Sequence, residues 1–168
     1  MKKLLITLMV LAIGSTSILF AQENKSQTMA QARIEYMKKN LTLSDKEAQT
    51  FWKVYEEFLD EEFKIMDAYR NDLEKQGIKL GPSGTNKEAI ANMSDKQLNY
   101  MQDKKFELRQ KLLTNETNYY KKFKAILTAR NIQNLYNAEY NFKKLLTTKR
   151  QELQKEATGP VNGGKKKR

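Results

Sequence analysis

Two stretches of the chain carry side chains whose types and spacing suit chemistry. The first is acidic: Glu56, Glu57, Asp60, Glu61 and Glu62 fall within seven positions. Glu56 and Asp60 are four apart, as are Glu57 and Glu61, so each pair shares one face of a helix. Carboxylate oxygens suit a hard cation such as calcium, and Glu57 with Glu61 would be the core of such a metal site. Sites of that kind draw ligands from a tight loop or several helices, so a solvated face, or pairing with basic neighbours, is the competing reading. The second stretch mixes cations and rings. Lys104, Lys105 and Arg109 flank Phe106, while Lys121, Lys122 and Lys124 follow Tyr119 and Tyr120. Charges speed the approach of an acidic partner and exposed rings slow its release. Lys104, Lys105, Phe106, Arg109, Tyr120, Lys121 and Lys122 are therefore the expected partner-binding residues. The plainer alternative is that Tyr119 is core and the lysines are a solubilising face.

What is missing narrows the chemistry further. The chain has neither histidine nor cysteine. That removes the best ligands for zinc, copper and nickel. It also removes the commonest general base and any nucleophile built on a Ser-His or Cys-His pair. No catalytic residue, cofactor or metal ligand is expected, and the fold must hold without disulfides.

These residues need elements to position them, and all the elements read as helices. Segment one spans about Ser26 to Lys39. Segment two opens at Ser44, where Ser44 and Glu47 form a capping box, and continues to about Gln76. Ala48, Trp52, Tyr55, Leu59, Met66, Tyr69 and Leu73 follow at helical steps, widened by Phe51, Phe58 and Ile65. Gly77 to Met93 breaks the pattern, with room for a short helical turn at Lys87 to Ala91. Segment three opens on a second capping box, Ser94 with Gln97, stapled by Met93 and Leu98. Its seam is Leu98, Met101, Leu108, Leu112, Tyr119, Phe123 and Ile126, which leaves Phe106 and Tyr120 off the stripe. Thr128 is a plausible N-cap for segment four, which carries Ile132, Leu135, Tyr136, Phe142, Leu146 and Leu153. The expected fold is all-α, with four main helices and segments two and three antiparallel across the loop. Helices of about 45 Å make long hairpins and a thin, elongated layer whose broad surface favours dimerisation.

The ends set the compartment. Lys2 and Lys3, the apolar run Leu4 to Ile13 and the small residue Ala21 resemble a secretory signal cleaved after position 21. Residues 22–157 would then form the helical domain and 158–168 a disordered basic tail ending in Lys165 to Arg168. Net charge is +11, falling to +9 without the two leading lysines. An exported basic protein meets unfolded polypeptides or anionic surfaces rather than nucleic acid, and contact with an anionic membrane would be weak. Segment two carries ten acidic residues against five basic ones, while Asp95 to Lys124 carries eight basic against four acidic.

The motif regions resemble those of the Spy/CpxP family of periplasmic LTxxQ-motif proteins, in particular the Bacteroidetes branch labelled "sensor of ECF-type sigma factor". The first stands here as Leu41-Thr42-Leu43-Ser44-Asp45-Lys46-Glu47-Ala48-Gln49, followed by Phe51-Trp52-Lys53-Val54-Tyr55. The second is Ile126-Leu127-Thr128-Ala129-Arg130-Asn131, then Leu135-Tyr136-Asn137-Ala138-Glu139-Tyr140-Asn141-Phe142-Lys143. Leu41, Thr42, Ser44, Glu47, Trp52, Leu127 and Thr128 are the structural motif positions. The second motif has Ala129-Arg130-Asn131 where the family often has Pro-Glu-Gln, and the histidines of zinc-responsive members have no counterpart. The resemblance implies a cradle-shaped homodimer. Such a protein binds partly unfolded or stress-exposed polypeptides without ATP, or reports envelope stress to a membrane-bound regulator.

Overall fold

A computed structural model describes residues 17–80 and 87–157, and every regular element in them is helical. The order is α1 (Ser17–Asn40), α2 (Asp45–Lys75), the one-turn α3 (Lys87–Ala91), α4 (Asp95–Ile126) and α5 (Ala129–Ala157). The expected signal segment up to position 16, and the tail from position 158, lie outside the described residues. Helix α1 starts nine positions before the expected Ser26, because good helix formers such as Ala21, Gln22 and Glu23 continue its pattern N-terminally.

Helix starts follow from local chemistry. Ser44 and Ser94 both adopt extended backbone, and each exchanges hydrogen bonds with the third residue of its helix. The Ser44 N–H donates to Glu47 Oε2 at 3.0 Å, and the Ser94 N–H donates to Gln97 Oε1 at 3.1 Å. Thr128 caps α5 by accepting from the Asn131 N–H at 3.2 Å. The same pattern of an apolar residue, a hydroxyl and an amide or carboxylate three positions on thus opens α2, α4 and α5.

Helix α2 ends as deliberately. The Gly77 N–H donates to the Glu74 carbonyl at 2.9 Å and the Ile78 N–H to the Leu73 carbonyl at 3.0 Å. This Schellman closure needs Gly77 at φ +72° and brings Ile78 onto Leu73 in the core. An added Cβ would meet only the Gln97 side-chain amide, at 3.8 Å. Gly77→Ala therefore costs conformational strain rather than a clash, about 1–2 kcal/mol, read as a lower urea midpoint at unchanged m-value.

Helices α2 and α4 are antiparallel, since their contacts pair rising with falling numbers: Asp72 with Lys104, Phe58 with Asn115, Glu57 with Lys122. With 31 and 32 residues they extend about 46–48 Å. Helix α1 runs into the end where α2 starts and α4 stops, and α5 runs out of it. Both fold back along the hairpin, so the main core sits where four helices meet. There Phe51, Tyr55 and Phe58 of α2 lie against Phe123 of α4, and Ile34 and Met37 of α1 join Leu135 and Phe142 of α5. Phe51 stacks on Tyr55 at 5.4 Å, and Phe58 meets Tyr119 at 5.5 Å. A second, smaller cluster of Leu73, Ile78 and Met101 closes the far end. Met66, expected in the α2 seam, is exposed because it falls between the two clusters.

Candidate functional site

The acidic run does not converge. Glu57 pairs with Lys122 of α4 at 3.6 Å, and Glu61 pairs with Lys64 one turn along its own helix at 3.6 Å. Among the described residues no three acidic side chains gather to hold a metal ion. Nor is any described helix long and apolar enough to cross a membrane.

The basic and aromatic residues of α4 divide into two sets. Lys104 lies between Asp72 of α2 at 3.7 Å and Glu107 at 2.7 Å, and the Glu107 hydrogen bond raises its pKa. Lys122 reaches Glu57 and lies 4.1 Å from the Tyr119 ring centre. These two cations tie α4 to α2. Lys105, Arg109 and Lys121 make no ion pair among the described residues, and neither does Lys124. Arg109 sits over the Phe106 ring at 5.8 Å, and Lys124 over Tyr120 at 4.9 Å.

Phe106 is 58% exposed and Tyr120 37%, as their position off the seam requires, and Leu113 is 56% exposed between them. The three residues are seven apart, so they form one row about 21 Å long on the outer face of α4. Leu113 and Lys124 were not among the expected residues, although the seven-residue spacing is visible in the sequence. Tyr120 also meets Tyr136 of α5 edge-on at 6.3 Å, which ties the row to the second hairpin. The site is thus an apolar row on a helix that also carries four cations with no ion pair among the described residues, together with the carboxylates Asp103, Glu107 and Glu116.

A second polar constellation escaped sequence reasoning altogether. Where α1, α2, α4 and α5 meet there is a cavity of about 130 Å³ lined by Arg33, Tyr55, Glu62, Asn115 and Glu139, among others. Arg33 grips Glu139 with bonds of 2.8–3.0 Å and reaches Glu62 at 3.0 Å. The Tyr55 hydroxyl donates to the same Glu139 carboxylate, and Asn115 donates to the Phe58 carbonyl at 3.3 Å. Burial, then the adjacent Glu139 carboxylate, pushes the Tyr55 hydroxyl far above its usual range. Burial alone would lower Arg33, but Tyr55, Glu139 and Glu62 outweigh it and the guanidinium stays charged. Arg33 and Tyr55 are therefore permanent donors to one carboxylate. The arrangement ties α1, α2 and α5 together through one carboxylate.

The structural motif residues cluster at the four-helix end. Leu41 and Leu127 are buried, Trp52 packs edge-on against Phe51 at 4.9 Å, and Thr42 and Thr128 are exposed. Glu47 does more than cap: its Oε1 accepts the Thr128 N–H at 3.1 Å and the Asn131 side-chain amide at 3.0 Å. Bonds from the Ser44 backbone first, then from Asn131, Ser44 and Thr128, depress its pKa from 4.5 to about 2. A depressed carboxylate contributes stability above its unfolded pKa and loses it as pH falls through the folded one. Glu47→Gln should therefore be less stable than the parent at pH 7. That gap should close between about pH 4.5 and 2, as followed by urea midpoints across pH. A gap independent of pH would mean that the ionised form is not what the four donors hold.

No family model, curated protein or solved structure matches the chain.

Proposed function

We propose that this chain is an exported, ATP-independent chaperone-like protein that holds partly unfolded polypeptides on the outer face of α4. The observation that carries the reading is the exposed row Phe106, Leu113 and Tyr120 near Lys105, Arg109, Lys121 and Lys124, cations with no ion pair among the described residues. Apolar side chains left open to water along one line of a charged helix are free to meet apolar segments of a partner. Unfolded chains offer apolar segments of no fixed sequence, and a surface that combines charge with rings captures them quickly and loosely. The likeness of the two motif regions to the Spy/CpxP family supports the same reading. It adds the periplasm as the place and a homodimer as the assembly, with no enzyme activity and no cofactor.

An aggregation assay tests the proposal. Several unrelated denatured proteins, each diluted into buffer with a slight excess of this protein, should all aggregate less, without nucleotide. Suppression of none of them, together with stoichiometric capture of one membrane-bound regulator from envelope extract, would replace the holding function with that of a stress-sensing partner.

A further inference from the structure

We propose that a polypeptide held on α4 is itself α-helical there, an amphipathic segment with apolar residues on a seven-residue repeat and acidic flanks. This rests on the reading of α4 as the holding surface and adds the shape of what is held. Phe106, Leu113 and Tyr120 stand about 10.5 Å apart along the helix axis. An extended strand repeats one face about every 6.8 Å. Its residues can meet Phe106 and Tyr120 with one face, but the residue opposite Leu113 then points away from α4. A helix carries its own seven-residue repeat at the same 10.5 Å, so all three side chains find partners at once.

The rest of the seam sets the strength and the charge. Gln110 and Thr117 lie beside the row where a permanent coiled coil would place apolar residues. The contact is therefore half a seam, suited to reversible holding. Lys105, Arg109, Lys121 and Lys124 lie near it with no ion pair among the described residues, against the carboxylates Asp103 and Glu116, while Glu107 is taken up by Lys104. A second copy docking through its own α4 would set the same four cations against their counterparts. An acidic helix of another polypeptide would neutralise them, and so it is the occupant the surface fits.

Two labelled peptides of identical composition, rich in Leu and Glu, test this with the full chain. One arranges its leucines on a heptad repeat, the other in strict alternation with polar residues. Fluorescence anisotropy should show the heptad peptide binding about tenfold more tightly. Leu113→Ser should cost the heptad peptide about tenfold and the alternating one little. Isotope-edited infrared spectra should show the bound heptad peptide as helix. Equal affinity for both peptides, weakened alike when Phe106, Leu113 and Tyr120 become Ser, would leave the holding surface in place and overturn the helical occupant. Binding of neither peptide would overturn both. Self-association in sedimentation that disappears in the triple Ser variant would name a second copy as the occupant and overturn the acidic partner. Circular dichroism of each variant excludes loss of fold, which is not expected for three exposed positions.

Discussion

Glu139→Ala should lower the free energy of unfolding by about 3–5 kcal/mol, the largest effect expected of any single substitution discussed. Glu139 is 8% exposed and accepts from both Arg33 and Tyr55. Removing it leaves a guanidinium, itself largely covered, with only Glu62 for compensation, and a buried hydroxyl with no acceptor. Small domains have about 5–15 kcal/mol in total, so the loss would dominate the fold's stability. Arg33→Met combined with Glu139→Leu should cost less than Glu139→Ala, because the buried guanidinium goes together with its carboxylate and the charge left without a partner, Glu62, is partly open to water. Urea midpoints for the single and paired variants measure this. A cost under about 1 kcal/mol for Glu139→Ala would place the network among surface ion pairs.

How much of this could be read from the chain depends on the range of each interaction. The capping boxes at Ser44 and Ser94, the Thr128 cap and the apolar periodicities depend on residues three to seven apart. They placed α2, α4 and α5 to within a residue or two at their starts. Antiparallel packing of α2 on α4 followed from their lengths and the loop between them. The Arg33–Glu139–Tyr55 network did not, since its members lie 106 and 84 positions apart and meet only after four helices are packed and rotated. The buried Asn115 gave no local sign either, because its partner is a mid-helix carbonyl, that of Phe58. Charge on α4 was legible as a sum, but its division was not. Lys104 and Lys122 face α2 and find Asp72 and Glu57, whereas Arg109 and Lys121 are exposed and the half-buried Lys105 makes no ion pair among the described residues. Leu113 was hidden for a different reason: it lies outside the buried stripe, where a lone exposed leucine carries no packing signal of its own.

The kinetics of capture should split between the two kinds of residue on α4. Replacing Lys105, Arg109, Lys121 and Lys124 by Gln should slow association with an acidic unfolded client about tenfold at low ionic strength and flatten its salt dependence. Lys104 and Lys122 are left intact because they hold α2. Replacing Phe106, Leu113 and Tyr120 by Ser should leave association within about threefold and speed release at least tenfold, since apolar contacts act on the bound state. Stopped-flow mixing with a labelled client separates the two rates. Equal slowing of association by both variants, with no change in release, would remove the distinction between steering charges and holding rings.

The absence of cysteine makes the central claim open to direct measurement, because any introduced thiol is unique. Leu113→Cys on α4 and Lys53→Cys on the exposed side of α2, each carrying a thiol-linked photocrosslinker, can be irradiated with a denatured client. Expected is strong crosslinking from position 113, suppressed by salt and by unlabelled client, and background crosslinking from position 53. Equal yields at the two positions, or a stronger yield at 53, would contradict the assignment of the outer face of α4 as the surface that holds clients.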